Sequence, residues 1–350
     1  MSERIPVAVL AATGSVGQRF IQLLDQHPWF EVVALTASDR SIGKPYGEAC
    51  HWTLPEPMPE WAGRLVIQPT EPQAVPARFA FSALPADVAR EVEPAFAADG
   101  KIVCSNAAAF RRETDVPILL PEVNADHTAL LEAQRRQRGW SGLIVTNPNC
   151  TSTGLTVAMK ALQNAFGLRR AFVVSMQALS GAGYPGVPSM DILDNVIPYI
   201  GGEEEKVEWE TRKMLGSMQG GQLNMADFGI SAHTNRVAVS DGHTVCASFE
   251  FDRRATPEEA VEVLASYTGP EMSRDLPSSP HPVLVVRSEA NRPQPRLDRN
   301  TGRGMTTVVG RVRRDPLFDL KLVVLSHNTI RGAAGGSIYN AELLVKLGYN

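Results

Sequence analysis

Ile5-Pro6-Val7-Ala8-Val9-Leu10-Ala11-Ala12-Thr13-Gly14-Ser15-Val16-Gly17 is the stretch on which the reading of the fold turns. Its first seven residues form an unbroken apolar run, the pattern of a strand covered on both faces. From Val16 the spacing becomes that of a helix over 16–26, with Val16, Phe20, Leu23 and Leu24 on one side. Between the two, Gly14 and Gly17 stand where the second and third glycines of a dinucleotide-binding turn belong. Ala11 stands where the first glycine is expected. Such a turn lets backbone N–H groups at the helix start meet a pyrophosphate. A degraded glycine pattern is weak alone; its place between a buried strand and a helix sets it above a plain strand–helix turn.

The alternation continues outward. Strand-like runs at 31–36, 78–83, 101–104 and 142–146 are interleaved with helical stretches at 86–98 and 125–138. This order predicts an α/β domain with a Rossmann-type, doubly wound parallel sheet. Beyond residue 150 the character changes. Segments 169–179, 230–239, 244–251, 305–313 and 319–326 read as strands, several joined without room for a crossover helix. A second, α+β domain on a mostly antiparallel sheet is expected. Asp241-Gly242 predicts a turn between two of these strands. The Pro-rich stretch 277–295 reads as a long surface loop, and 335–347 as an amphipathic helix that returns to the first domain. There is no internal repeat or low-complexity segment.

Composition narrows the function classes. A chain of 350 residues has room for two domains with separate cores. The net charge of −4, with acids and bases mixed and no Lys/Arg cluster, argues against a nucleic-acid or anionic-membrane surface. The longest apolar stretches are strand-sized, short of the roughly 20 residues that span a bilayer. The opening MSERIPVAVL lacks a signal-peptide layout, so the cytoplasm is the expected location. Four cysteines show neither C-x-x-C nor zinc-like spacing to His, so free thiols and no metal site are expected. Cys104 and Cys246 fall in strand-like runs and are expected to be buried apolar residues, whereas the stretch around Cys50 gives no role.

Cys150 differs. It lies in Asn147-Pro148-Asn149-Cys150-Thr151-Ser152-Thr153-Gly154, between a strand and a helical run from Leu155. At a helix start the dipole and N–H groups favour a thiolate, lower its pKa and can stabilise an oxyanion. A buried structural cysteine accounts for neither the polar neighbours nor this position. A thiol that attacks a carbonyl needs a base, and imidazole suits neutral pH. His27, His51 and His127 read as surface or structural residues; His233, His243, His281 and His327 stay open as partners. At the end of the second strand, Ser38, Arg40 and Ser41 offer donors suited to a 2′-phosphate, which favours NADP. Asp39, in the same run, would serve NAD if it pointed inward.

Asn147–Thr153 (NPNCTST) resembles the nucleophile motif of the aspartate-semialdehyde dehydrogenases, in their archaeal and fungal branch. The likeness spans the chain in ordered blocks: AATGSVGQ from Ala11, SNAAAFR at 105–111, SGAGYPGVPS at 180–189, GGEEEK at 201–206, RVAVSDGH at 236–243 and HNTIRGAAGGSI at 327–338. That family reduces aspartyl phosphate to aspartate semialdehyde with NADPH. The resemblance implies Cys150 as the acylated nucleophile and selects His243 as its proton-transfer partner. It implies Arg236 as the fork for the substrate carboxylate, a bidentate task that Lys performs poorly. Arg111 and Lys206 resemble the cations on the phosphate side, and Glu203 the carboxylate that faces the ammonium, with Glu204 and Glu205 as alternatives. Cofactor contacts are implied at Thr13, Gly14, Ser15, Val16, Ser38, Arg40, Ser41, Ser82, Leu84, Ser180, Gly181 and Asn328.

The resemblance further implies an NADP-binding domain of residues 1–148 plus 329–350, and a catalytic and dimerisation domain of 149–328. A homodimer or homotetramer acting on a small-molecule substrate is expected. Two other readings stay open: a malonyl-CoA reductase of the same family, which keeps the cysteine and NADPH, and a non-catalytic NADP-binding sensor.

Overall fold

The computed structural model describes residues 4–349. Ile5–Leu10 (β1), Phe30–Leu35 (β2), Phe79–Ser82 (β3), Ile102–Ser105 (β4) and Leu143–Thr146 (β5) form a parallel sheet in the order β2-β1-β3-β4-β5. The unbroken apolar run of β1 has a simple cause. Val7 and Val9 point into one core, with Phe20, Ile21 and Leu24; Ala8 and Leu10 point into another, with Ala89 and Phe96. The helices that supply these layers are Ser15–Leu24 (α1) on one face and Ala86–Ala98 (α2) on the other. Leu130–Arg138 (α3) precedes β5, and Cys150–Phe166 (α4) follows it.

The second sheet contains Arg170–Gln177 (β6), Gly229–Arg236 (β9), His243–Glu250 (β10), Leu284–Arg287 (β11), Thr307–Arg314 (β12) and Leu320–Ser326 (β13), in the order β11-β12-β13-β10-β6-β9. A small hairpin, Ser217–Gln219 (β7) and Gln222–Asn224 (β8), stands apart. The sheet is mixed: its three central pairings are antiparallel, and β11 and β9 join its edges in parallel. α4 and Pro257–Ser266 (α6) cover one face, while Glu203–Met214 (α5) packs against β9 and α4.

One expectation holds in a wider setting, and two need correction. The Asp241-Gly242 turn does link β9 to β10, but the two strands are not neighbours, because β6 pairs with both and lies between them. The Pro-rich stretch 277–295 contains a strand, since the apolar residues Leu284–Val286 add to the edge of β12. The last helix, Gly335–Lys346 (α7), is buried on every side from Gly335 to Leu344 and not only along one stripe. One side of α7 meets the first sheet at β3 and β4. On the other, Tyr339 Oη donates to Ser273 O, and the Ser278 amide and hydroxyl donate to Glu342. Glu342 is also 2.9 Å from His27 Nε2, and partners of this kind hide polar residues inside a helix whose sequence breaks its apolar stripe.

A π-helical turn, Ile330–Ala334, leads into α7. Its Arg331 is fully buried and places Nε and Nη2 at 3.0 and 2.5 Å from Glu122 Oε1.

The first turn carries strain where glycine was expected. Ala11 adopts φ 58°, in the left-handed region, where a Cβ costs about 1–2 kcal/mol. The turn is so tight that a Cβ on Gly17 would come within 2.4 Å of Ala11 O, so this position has room for glycine alone. Replacing Ala11 with Gly is expected to add up to about 1 kcal/mol to the unfolding free energy, seen as a higher urea midpoint at unchanged slope. Gly17→Ala should lower that midpoint. A midpoint for Ala11→Gly at or below that of the parent would show that the turn stores no strain.

Candidate active site

Cys150 is the first residue of α4, and its place follows from Asn149. That residue is extended at the helix entrance, and its Oδ1 accepts from the N–H groups of Thr151 (2.9 Å) and Ser152 (3.3 Å). The Asn149 Nδ2 donates to Glu203 Oε2 at 2.7 Å, and its own amide donates to Glu210 Oε2 at 2.6 Å. Asn149 thus joins the start of α4 to one face of α5. Glu203, Lys206 and Glu210 share that face at i, i+3 and i+7. Lys206 Nζ pairs with Glu203 Oε1 at 2.8 Å, and Arg111 Nη1 pairs with Glu210 Oε1 at 2.8 Å.

The sulfur of Cys150 lies 3.1 Å from His243 Nε2, at the start of β10. His243 Nδ1 accepts the N–H of Ala178 at 3.0 Å, and the carbonyl of Ala178 accepts from Arg236 Nη1 at 2.7 Å. Gly332 closes the site from below, since a Cβ there would lie 2.9 Å from Cys150 Cβ. Cys150, Arg111, Asn149, Glu203 and Lys206 line a cleft of about 350 Å3 together with Ser15, Val16, Asn106, Ser180, Gly181 and Asn328.

The three acids at 203–205 separate in space. Glu203 enters the cleft, Glu204 accepts the Thr234 amide at 3.0 Å, and Glu205 lines a neighbouring cavity beside Arg90 and Trp209. His327 is buried two residues before Thr329, and His233 lies on the far, exposed side of β9. His281 is exposed, so of the four open histidines only His243 reaches the sulfur.

The electrostatics reverse one expectation. Burial, followed by the negative Glu203, pushes the Cys150 thiol up to about 12, against the pull of Arg111, Arg236 and the Thr151 amide. The helix start does not deliver the lowered pKa expected of it, because burial and the Glu203 charge outweigh the Thr151 amide and the two arginines. Burial, then the charges of Arg236 and His327, pull His243 down to about 3. Burial also opposes ionisation of Glu203, but Lys206, Asn149 and Gln177 outweigh it and hold this carboxyl below its usual range. The other thiols differ in setting. Cys104 is buried as expected; Cys246 is exposed, against expectation, on the same face of the second sheet as the exposed Phe172. Cys50 is half-buried, 3.2 Å from Tyr46 Oη.

Residues 6–131 match the family model described as semialdehyde dehydrogenase, NAD binding domain, and 159–331 match that described as semialdehyde dehydrogenase, dimerisation domain. The chain is 53% identical to an aspartate-semialdehyde dehydrogenase of Archaeoglobus fulgidus over 343 residues, covering 98% of each. The chain belongs to the aspartate-semialdehyde dehydrogenase family. A Schizosaccharomyces pombe member is 46% identical over 350 residues, 98% of each chain. A crystal structure of the Candida albicans member with NADP superimposes at a TM-score of 0.91, with 42% identity, covering 99% of this chain and 100% of that one.

The residues expected to contact the cofactor fall into four groups. Ser15, Val16, Ser180, Gly181 and Asn328 line the cleft, and Asn328 Nδ2 donates to Ser180 Oγ at 2.7 Å. Thr13 and Gly14 form the turn behind them, while Ser38, Arg40 and Ser41 lie on the surface past β2. Ser82 is fully buried and Leu84 packs against the α2 side of the first sheet; neither lines the cleft. Sequence reasoning gave no role to Asn149, Glu210 or Ala178. The first two had a signal, an Asn just before a helix and an acid at i+7 from Glu203. Ala178 acts through its backbone and has no sequence signature.

If the Glu203 charge helps hold Cys150 protonated, Glu203→Gln should lower the thiol's pKa. Iodoacetamide should then alkylate Cys150 faster at neutral pH than in the parent, as counted by mass spectrometry. Equal or slower labelling would show that Glu203 does not act on the sulfur.

Proposed function

We propose that this chain reduces aspartyl phosphate to aspartate semialdehyde with NADPH through a thioester on Cys150. The observation that carries this reading is the Cys150–His243 contact of 3.1 Å beside a cleft lined by two cations, Arg111 and Lys206, and one carboxylate, Glu203, with a third cation, Arg236, behind Gly181 and close enough for its charge to act on Cys150. That set complements a phosphate, a carboxylate and an ammonium. Arg236 takes the substrate carboxylate and Glu203 the ammonium; Arg111 and Lys206 stabilise the phosphate as it leaves. Cys150 attacks the acyl carbon, and the acyl group remains on sulfur. The nicotinamide, when bound, supplies the hydride. His243 serves the oxyanion that forms on reduction and the sulfur when the thiohemiacetal collapses to aldehyde.

The residues fit a dinucleotide at the first turn, where Gly17 permits backbone contact closer than any side chain allows. Arg40, exposed and without an ion pair among the described residues, is available to a 2′-phosphate. Residues 1–148 plus 329–350 form the NADP-binding unit in this reading, and 149–328 the catalytic one. The packing of α7 on β3 and β4 supports that division. A second copy would dock on the face of the second sheet where Phe172 and Cys246 are exposed. The description of the matching domain supports a dimer, and a tetramer would extend it.

Side-by-side assays of NADPH oxidation should show turnover with aspartyl phosphate and not with malonyl-CoA; the reverse outcome would replace the substrate. Cys150→Ala should abolish activity and leave NADP affinity nearly unchanged, with Cys150→Ser almost as inactive. His243→Ala should retain a rate reduced by about 10²–10⁴-fold. Mass spectrometry of enzyme and substrate without NADPH should find the acyl group on Cys150. Label on Cys104 or Cys246, with full activity in Cys150→Ala, would overturn the mechanism.

Arg40→Ala should raise the Michaelis constant for NADPH far more than that for NADH. Equal effects on the two would show that Arg40 does not read the 2′-phosphate.

A further inference from the structure

The first turn can offer a diphosphate its amides, and two buried side chains decide where its carbonyls go. Ser15 and Val16 line the cleft, and among the described residues neither of their amides has a hydrogen-bond partner. Gly14, at the entrance to α1, has no side chain to cap them. Such donors suit an anion, whereas a carbonyl oxygen turned toward the same place would repel it. The carbonyls of the turn are engaged elsewhere: Ala11 O accepts the Gly14 amide at 3.2 Å, Ala12 O accepts Tyr46 Oη at 2.9 Å, and Thr13 O accepts Gln18 Nε2 at 3.0 Å. Tyr46 is fully buried and Gln18 almost so, and neither lines the cleft. We propose that Tyr46 and Gln18 are positioning residues for the dinucleotide: they hold the Ala12 and Thr13 carbonyls back, so that the turn meets the diphosphate with amides alone. The role rests on the reading of this turn as the dinucleotide site.

The bonds of each side chain fix its orientation. Gln18 Oε1 accepts the Thr53 amide at 2.8 Å and the Thr53 hydroxyl at 3.1 Å. A backbone N–H can only donate, so the Gln18 oxygen must face Thr53. Its NH2 group then faces Thr13 O and, at 2.9 Å, His51 O. Burial, followed by Cys50, pushes the Tyr46 phenol far above its usual range, so it keeps the proton that it donates to Ala12 O. Cys50 Sγ donates to the same hydroxyl from 3.2 Å and fills its accepting side. The segment that carries these groups is anchored in turn. The Tyr46 amide donates to Leu65 O at 2.8 Å, and the Cys50 amide to Tyr46 O at 2.9 Å. Residues 46–53 thus form a bracket behind the turn. Ala11, at φ 58°, strains that turn, and a strained conformation persists only where its surroundings hold it.

The test measures direct binding of two probes, NADP and 2′-AMP, to the full-length protein. The second keeps the adenosine and its 2′-phosphate but has no diphosphate. Tyr46→Phe removes only the hydroxyl, and Gln18→Met removes the amide while keeping the length of the chain. Each should raise the dissociation constant for NADP by about three- to tenfold, the span of one hydrogen bond lost, and leave that for 2′-AMP within about twofold. A general loosening of the domain would weaken both probes alike, and equal losses for the two would overturn the proposal. Unchanged affinity for NADP in either variant would overturn it as well. Gln18→Met acts on the neighbouring carbonyl without disturbing the core around Tyr46, so it carries the test where Tyr46→Phe yields too little folded protein. A parent that binds NADP no more tightly than 2′-AMP would overturn the underlying reading, since the turn would then give the diphosphate nothing. A parent that gains from the diphosphate, with variants that keep the whole gain, would overturn the positioning role alone.

Discussion

The buried pair of Arg331 and Glu122 is the constraint to which the rest of the molecule is tied. Both side chains are almost wholly removed from solvent, and the guanidinium also lies 5.6 Å from the ring of Tyr339. Removing one partner would strand a charge in the interior, a loss of about 3–5 kcal/mol. The pair fixes the π-helical turn that brings Gly332 under Cys150. It also starts α7 on the path that completes the first core, through Ile338, Leu343 and Leu344. One interaction therefore serves both the sheet that is to hold a dinucleotide and the floor beneath the nucleophile. Asn147 reinforces the link, with Nδ2 donating to the carbonyl of Gly332 at 3.2 Å.

Within the cleft, charge is stored in pairs that a ligand can exchange. Lys206 is matched by Glu203 and Arg111 by Glu210, so neither cation is left bare in the enclosed site. An incoming phosphate would compete for both, and an ammonium would compete with Lys206 for Glu203. The exchange conserves ion pairs, which keeps the desolvation cost of binding low for a substrate with the right set of charges. A ligand that lacks one of them breaks a pair without replacing it. Selectivity would then follow from the pairing pattern as well as from shape.

Much of this was legible in the sequence, and the parts that were not share a physical cause. The run from Ile5 to Gly17 announces its strand, turn and helix because each local choice agrees with the final structure. Cys150 stands out by its polar neighbours. What failed were inferences that take one effect as the whole. A helix start does favour a thiolate, yet burial and Glu203 outweigh it at Cys150. An Asp-Gly turn does reverse the chain, yet it cannot say that β6 lies between the strands it joins. The apolar stripe of α7 is interrupted by polar residues whose partners lie far away, as Glu342 meets His27, 315 residues distant. The β7–β8 hairpin did carry a signal that was passed over, Gly220-Gly221 between Met218 and Leu223, but each strand is only three residues long. The backbone of Ala178 leaves no trace in any residue type.

The long return of the chain to its first sheet bears on how the protein matures. From Leu10, at the end of β1, to Ile330, at the start of the π-helical turn, lie 320 residues (330 − 10). At a synthesis rate of about 5–20 residues per second, β1 and α1 wait on the order of 15–65 seconds for the segment that closes their core. The first domain cannot mature in order of synthesis, as a domain built from contiguous sequence can. Cys150 waits with it, since Gly332 belongs to the same late segment. The nucleophile is thus assembled only when the last helix docks, and a nascent chain on the ribosome carries the cysteine without its finished site.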